Sequence, residues 1–258
     1  MTQTSTPVAP PPAPPSRRFL QPKWLLIGAA ALVGVLILAL FVVIAFSAVD
    51  SATGDGDHVV TGPRNGRTEA TMELLSGATA VTVRAVDLGG PLYRVRTPDG
   101  SRQIPQVSDH DGVVQVQLGD SGRARPSAVE IELATATRWR VRLVGGATTE
   151  TVDLSAGRVS DVELVGGATS VDLALPAPSG TVAVRMVSGV STWTVHAPTG
   201  PPAKVFVASG AGTVTVDGAT RTGVPAGTTI TGDGWDGATD RYDVIASGGM
   251  SAFTLDRR

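Results

Sequence analysis

LVGGATSVDLAL, residues 164–175, sets an apolar pair before two glycines, then small residues, then an alternating strand. Alternation puts Val171 and Leu173 on one face and Asp172 on the other, the period-two pattern of a half-buried strand. The same phrase recurs as LLSGATAVTV (74–83), LVGGATTETVDL (143–154), MVSGVSTWTV (186–195), VASGAGTVTV (207–216) and IASGGMSAFTL (245–255). Its corner glycine falls at Gly77, Gly146, Gly167, Gly189 and Gly210, with middle intervals of 21, 22 and 21 residues. The first gap, 69 residues, approximates three such steps, and the run from Gly210 to Gly248 or Gly249 approximates two.

A period near 21 residues marks units that stack on their neighbours. Stacked strands lie about 4.8 Å apart, so corners must be narrow, and glycine with Ala, Ser or Thr fits there. The expected fold is therefore all-β, a β-solenoid over residues 68–258; a β-sandwich of the same strands is the alternative. The core face collects Val81, Val83, Val171, Leu173, Trp193, Val195, Val214 and Val216. Glu150 falls at an inward position of its copy, and a β-bulge is expected to turn it out.

Ahead of the repeats the sequence changes character. No charged residue occurs from Trp24 to Val49, and 26 helical residues span roughly 39 Å, enough for a hydrocarbon core of about 30 Å. The apolar run is longer than that of a cleavable signal peptide, so it reads as an uncleaved transmembrane helix, 24–49. Arg17, Arg18 and Lys23 precede it, whereas Asp50, Asp55 and Asp57 follow. Positive charge stays inside, which places the N-terminus in the cytoplasm and the repeats outside the cell membrane. The tail, 1–23, opens with six prolines in 16 residues and reads as disordered; Gly- and Asp-rich 50–67 reads as a flexible stalk.

Charge and composition exclude several functions. Beyond residue 49 there are 18 Lys and Arg against 23 Asp and Glu, so the outer part has no general attraction for nucleic acid. Cysteine is absent, which removes disulfides, lipoprotein anchoring and thiolate metal sites. No zinc-protease, serine-elbow or phosphate-loop motif occurs, and His58, His110 and His196 are far apart. No catalytic residue, cofactor or metal is assigned. Asp109-His110-Asp111 precedes Gly112 and reads as a turn, while Asp233, Asp236 and Asp240 share a Gly-rich loop that fits no standard calcium spacing.

Two surface features remain as candidates. TRWRVRL places Arg138, Arg140 and Arg142 opposite Trp139, Val141 and Leu143. The arginines either pair with Glu130 and Glu132 of the preceding VEIEL, or stay free for an anionic envelope polymer or lipid headgroups. Counting from the corner glycines gives an outward row of Thr82, Thr151, Asp172, Thr194, Thr215 and Thr254. Two residues further on, the 21-residue step from Gly189 to Gly210 predicts that His196 and Asp217 face outward as neighbours within hydrogen-bonding reach.

The ordered phrases from LVGGATSVDLAL through VASGAGTVTVDG to GWDGATDRYDVIASGG resemble the outer domain of uncharacterised actinobacterial membrane-anchored proteins. These are similar in pattern to the β-strand-repeat domains described as candidate adhesins. The resemblance covers roughly 128–256 and implies an all-β repeat on the outside of the cell membrane; it carries no catalytic residue. The expected role is a non-enzymatic, adhesin-like module holding an envelope polymer, a lipid surface or a protein partner. The alternative is envelope sensing, signalled through the proline-rich cytoplasmic tail.

Overall fold

The computed structural model describes residues 58–99, 101, 103–120 and 127–258. The tail, the apolar span and the first part of the stalk lie outside the described residues. No helix among the described residues is long and apolar enough to cross a membrane.

Among the described residues strands account for nearly all the regular structure. The first six are β1 (His58–Pro63), β2 (Glu69–Leu74), β3 (Ala78–Val86), β4 (Pro91–Thr97), β5 (Gln103–His110) and β6 (Val113–Asp120). Next come β7 (Ala128–Ala134), β8 (Arg138–Leu143), β9 (Ala147–Asp153), β10 (Arg158–Leu164), β11 (Ala168–Ala174), β12 (Thr181–Met186) and β13 (Val190–Ala197). The last are β14 (Ala203–Val207), β15 (Ala211–Val216), β16 (Ala219–Val224), β17 (Thr228–Thr231), β18 (Arg241–Ala246) and β19 (Met250–Arg257). The edge strand β1 falls within the stretch read as stalk, where Val60 packs partly buried against the core.

Two mixed sheets result. One is 10-stranded, in the order β1-β4-β7-β3-β9-β11-β13-β19-β15-β16; the other is 9-stranded, β17-β14-β18-β12-β10-β8-β2-β6-β5. Interior pairs such as β9–β11 and β10–β12 are parallel, and antiparallel pairs such as β15–β16 and β5–β6 occur toward the ends. Each repeated phrase carries the chain from one sheet to the other through its glycine corner. Thus β8 leads into β9, β10 into β11 and β12 into β13, and the partners stack in the same order in both sheets.

Stacking converts alternation into straight rows. Across the larger sheet, Val129, Val81, Glu150, Val171, Trp193, Phe253 and Val214 lie in register. Across the smaller one, Val114, Met72, Val141, Val162, Val184, Val244 and Val205 do the same. All of these are buried, and all the positions expected in the core are among them or in the adjoining buried row. Burying each Val, Leu, Phe or Met contributes about 1.5–3 kcal/mol, so these rows are the main favourable term holding the sheets together. Trp193 and Phe253 meet edge to face, their ring centroids 5.0 Å apart.

The stack does not follow chain order at either end. The pair β6–β7 lies outside β2–β3, and β18–β19 inserts between β12–β13 and β14–β15. Gly249 therefore stands between Gly189 and Gly210: Met250 pairs with both Val190 and Ala211. The 21-residue step measures the length of a unit, but adjacency is set by which row the last strand completes.

Candidate functional site

The outer face of the smaller sheet carries the arginines of β8. Parallel register sets Arg142 beside Glu73 on one side and Glu163 on the other. Its Nε donates to Glu163 Oε2 at 2.7 Å, and its Nη1 stands 3.5 Å from Glu73 Oε1. The Glu163 hydrogen bond, then the Glu163 charge, hold this guanidinium more firmly protonated than usual. Glu130 and Glu132, expected as partners for these arginines, are on β7 in the other sheet. There Glu132 receives Arg94 at 2.8 Å, and Glu130 receives Arg96 and, at 3.7 Å, Arg84. Alternation identifies a residue's face; it does not identify the neighbouring strand.

Arg138 and Arg140 differ from Arg142. The register partner of Arg140 is Asp161, but Asp161 accepts from Arg185 Nη1 at 2.6 Å. Between Val159 and Asp161 the register shifts by a bulge at Ser160. Arg138 sits beside Arg158 and donates from Nη2 to the Ser179 carbonyl at 2.9 Å. Among the described residues no carboxylate lies within ion-pair distance of Arg138, Arg140 or Arg158, and Arg140 and Arg158 are exposed. A groove of about 360 Å³ is bordered by Glu69, Thr71, Asp111, Arg138, Arg140 and Ser160, and Arg158 stands next to it in register with Arg138.

His196 and Asp217 are not neighbours. Asp217 occupies a left-handed turn (φ 50°) and accepts from Arg257 Nε at 2.7 Å. His196 is 5% exposed rather than outward and free. Its Nδ1 lies 2.5 Å from Asp256 Oδ1, while Nε2 lies 3.2 Å from Asp172 Oδ2 and 3.0 Å from Arg258 Nη2. The inserted β19 supplies Asp256 at the place expected for Asp217. This cluster ties β11, β13 and β19 together.

The remaining motifs resolve into structure. Asp109 accepts from Arg67 at 2.6 and 2.8 Å, and Asp111 and Gly112 form a turn at positive φ. Asp240 accepts from the Gly180 amide at 2.7 Å, while Asp233 and Asp236 are exposed. Trp235 of the same loop lies under Lys204 and Arg241, 3.7 and 4.1 Å from its ring centroid. Among the described residues no group of three or more His, Asp or Glu is placed to hold a metal ion. The threonine row is present, with Thr82, Thr151, Asp172, Thr194, Thr254 and Thr215 in register.

Glu150 has no bulge to turn it out. It pairs in register with Val81 and Val171, is 1% exposed, and neither carboxyl oxygen has a hydrogen-bond partner among the described residues. Burial pushes its carboxyl up to about 7.

No family model matches the chain, and no curated protein does. A solved structure does. The crystal structure of a candidate cell adhesion protein from Clostridium sporogenes aligns with TM-score 0.57 at 14% identity, over 78% of this chain and 99% of that one. At that identity the likeness is one of fold. A candidate adhesin from Bacteroides fragilis aligns over 78% of this chain and 97% of that one, at 10% identity and TM-score 0.25, too low to carry an argument.

Proposed function

We propose that the chain is a non-enzymatic, adhesin-like surface module, anchored by residues 24–49 with its β domain outside the cell membrane. The observation that carries this reading is the outer face of the smaller sheet, where, among the described residues, no carboxylate lies within ion-pair distance of Arg138, Arg140 or Arg158. They sit on a scaffold similar in fold to a candidate cell adhesion protein. We take that scaffold as a short β-solenoid with permuted ends. Its virtue for binding is rigidity: parallel rows present side chains at fixed spacing without loops that must be ordered first. Outward orientation follows from the basic residues before the apolar run and the acidic ones after it.

A reporter fused after Arg258 is expected to be active only on the outer side, with the protein full length in the membrane fraction. A soluble form beginning near Asp50, or an active reporter inside, would overturn the anchored reading. Crosslinking from intact membranes is expected to capture an envelope component through the β domain in chains lacking residues 1–16 as well as in the whole chain. Capture that disappears with the tail would shift the reading to signalling.

A further inference from the structure

The arginine groove has a chemistry that narrows its partner. The described part of the chain holds most of its cations in pairs: Arg142 with Glu163 and Glu73, Arg185 with Asp161, Lys204 with Asp243, Arg257 with Asp217. Arg138, Arg140 and Arg158 are exceptions, and they are grouped. Arg138 and Arg158 are cross-strand neighbours, and Arg140 lies two residues along the same strand. Glu69 on β2 stands in register with Arg138 on its other side, so the like-charge contact is the one between Arg138 and Arg158, and an anion beside these arginines relieves that repulsion. The bulge at Ser160 and the Asp161–Arg185 pair together withdraw the one carboxylate that register would give Arg140.

The groove is not wholly basic. Glu69 and Asp111 border it, with Thr71 on the acid side and Ser160 beyond the arginines on β10, where its hydroxyl donates to the Trp139 carbonyl. Carboxylates on the rim repel a uniformly anionic surface but accept hydrogen bonds from a ligand's hydroxyls. Membrane headgroups fit less well for a second reason. Among the described residues the only large exposed apolar side chains are Val59 and Val187, and the apolar residues lining the groove, Ala70 and Val113, are buried and half-buried, so it presents no exposed apolar side chain to a bilayer. From this we infer that the groove between β2, β8 and β10 binds a polyol-phosphate chain, its phosphates on Arg138, Arg140 and Arg158 and its free hydroxyls toward Glu69 and Asp111. The inference rests on the reading of the β domain as a binding module and names the class of its partner.

The test uses the full-length chain in neutral detergent micelles, with poly(glycerol phosphate) as the probe. Binding is expected to weaken steadily as salt rises. Arg140→Glu and Arg158→Glu are each expected to weaken it by about tenfold or more, the loss of a charge-assisted contact. Arg221→Glu makes the same charge change at an exposed position on β16 and is expected to leave affinity within about twofold. Thermal unfolding of each variant checks that the fold is intact. Equal loss at Arg140 and Arg221 would overturn the site, as would a wild-type preference for phosphatidylglycerol vesicles over the polymer. Either result would leave the outward orientation standing, because the reporter after Arg258 reads that separately.

Discussion

Glu150→Val is expected to stabilise the β domain by about 3 kcal/mol at pH 8, the cost of ionising a carboxyl held up to about 7 in the fold. The folded value lies above the ordinary 4.5, so the sign is the reverse of the usual surface carboxylate. Below about pH 4.5 the side chain is protonated in both states and contributes nothing to the pH dependence. Between there and about 7 the unfolded chain releases the proton while the folded chain keeps it, and stability falls by about 1.4 kcal/mol per pH unit. Above about 7 the penalty is complete and constant. Among the described residues no titratable group faces Glu150 to offset it. The inward residues beside it are Val81 on β3 and Val171 on β11, and the buried positions of β2, β8 and β10 opposite are apolar. Valine copies its row neighbours, so it removes the carboxyl without disturbing the register. Glu150→Gln is expected to flatten the pH dependence while still burying an unpartnered amide, and so to be less stable than the valine variant. Urea titrations of wild type and both variants at pH 4 and pH 8 give the answer. A wild-type stability that does not change across this window would mean that Glu150 is solvated and not in the core row.

The same residue shows how far the sequence could be followed. The repeated phrase, its glycine corner and the alternating strand after it are local, and the rows they predict at Val81, Val171, Trp193 and Val214 are the rows observed. Glu150 sat inward by the same count, but the cost of burying a carboxylate argued for a bulge. Neighbours on both sides decided otherwise, because the corners at Gly77, Gly146 and Gly167 are in step and hold β9 between two regular strands. Stacking order was less legible. Nothing local says that β19 should lie beside β13, a choice in which Phe253 meets Trp193 and Asp256 meets His196. The arginines divide the same way. Their outward face was readable from alternation, whereas the carboxylates beside them depended on strands far apart in the chain.

Gly166→Ala is expected to cost about 3 kcal/mol, at the upper end of what overpacking does in a well-packed interior. The repeat spacing makes the glycine that follows it, Gly167, the expected tight corner. The structure reverses their importance. A Cβ at Gly166 would stand 2.4 Å from the Gly145 carbonyl oxygen and 2.5 Å from the Gly146 nitrogen, both backbone atoms that cannot rotate away. A Cβ at Gly167 would meet the Gly189 carbonyl oxygen at 3.3 Å, close but within reach of a small adjustment. The approach is tight at Gly166 because the Val165 and Gly166 amides both donate to the Leu143 carbonyl, at 2.7 and 3.4 Å, drawing one unit onto the next. The preceding unit repeats this, with the Val144 and Gly145 amides donating to Leu74. In the following unit a serine stands at the same place: the Val187 amide donates to Leu164, and Ser188 Oγ donates to the Val165 carbonyl at 2.6 Å. A side chain is accommodated there, and it takes up a carbonyl of the neighbouring unit. Gly167→Ala is therefore expected to lose less than about 1 kcal/mol, with no positive φ to strain it. Urea midpoints at unchanged slope separate the two variants. Equal losses at Gly166 and Gly167 would show that the corner yields as a whole and that the close backbone approach does not govern which glycine is required.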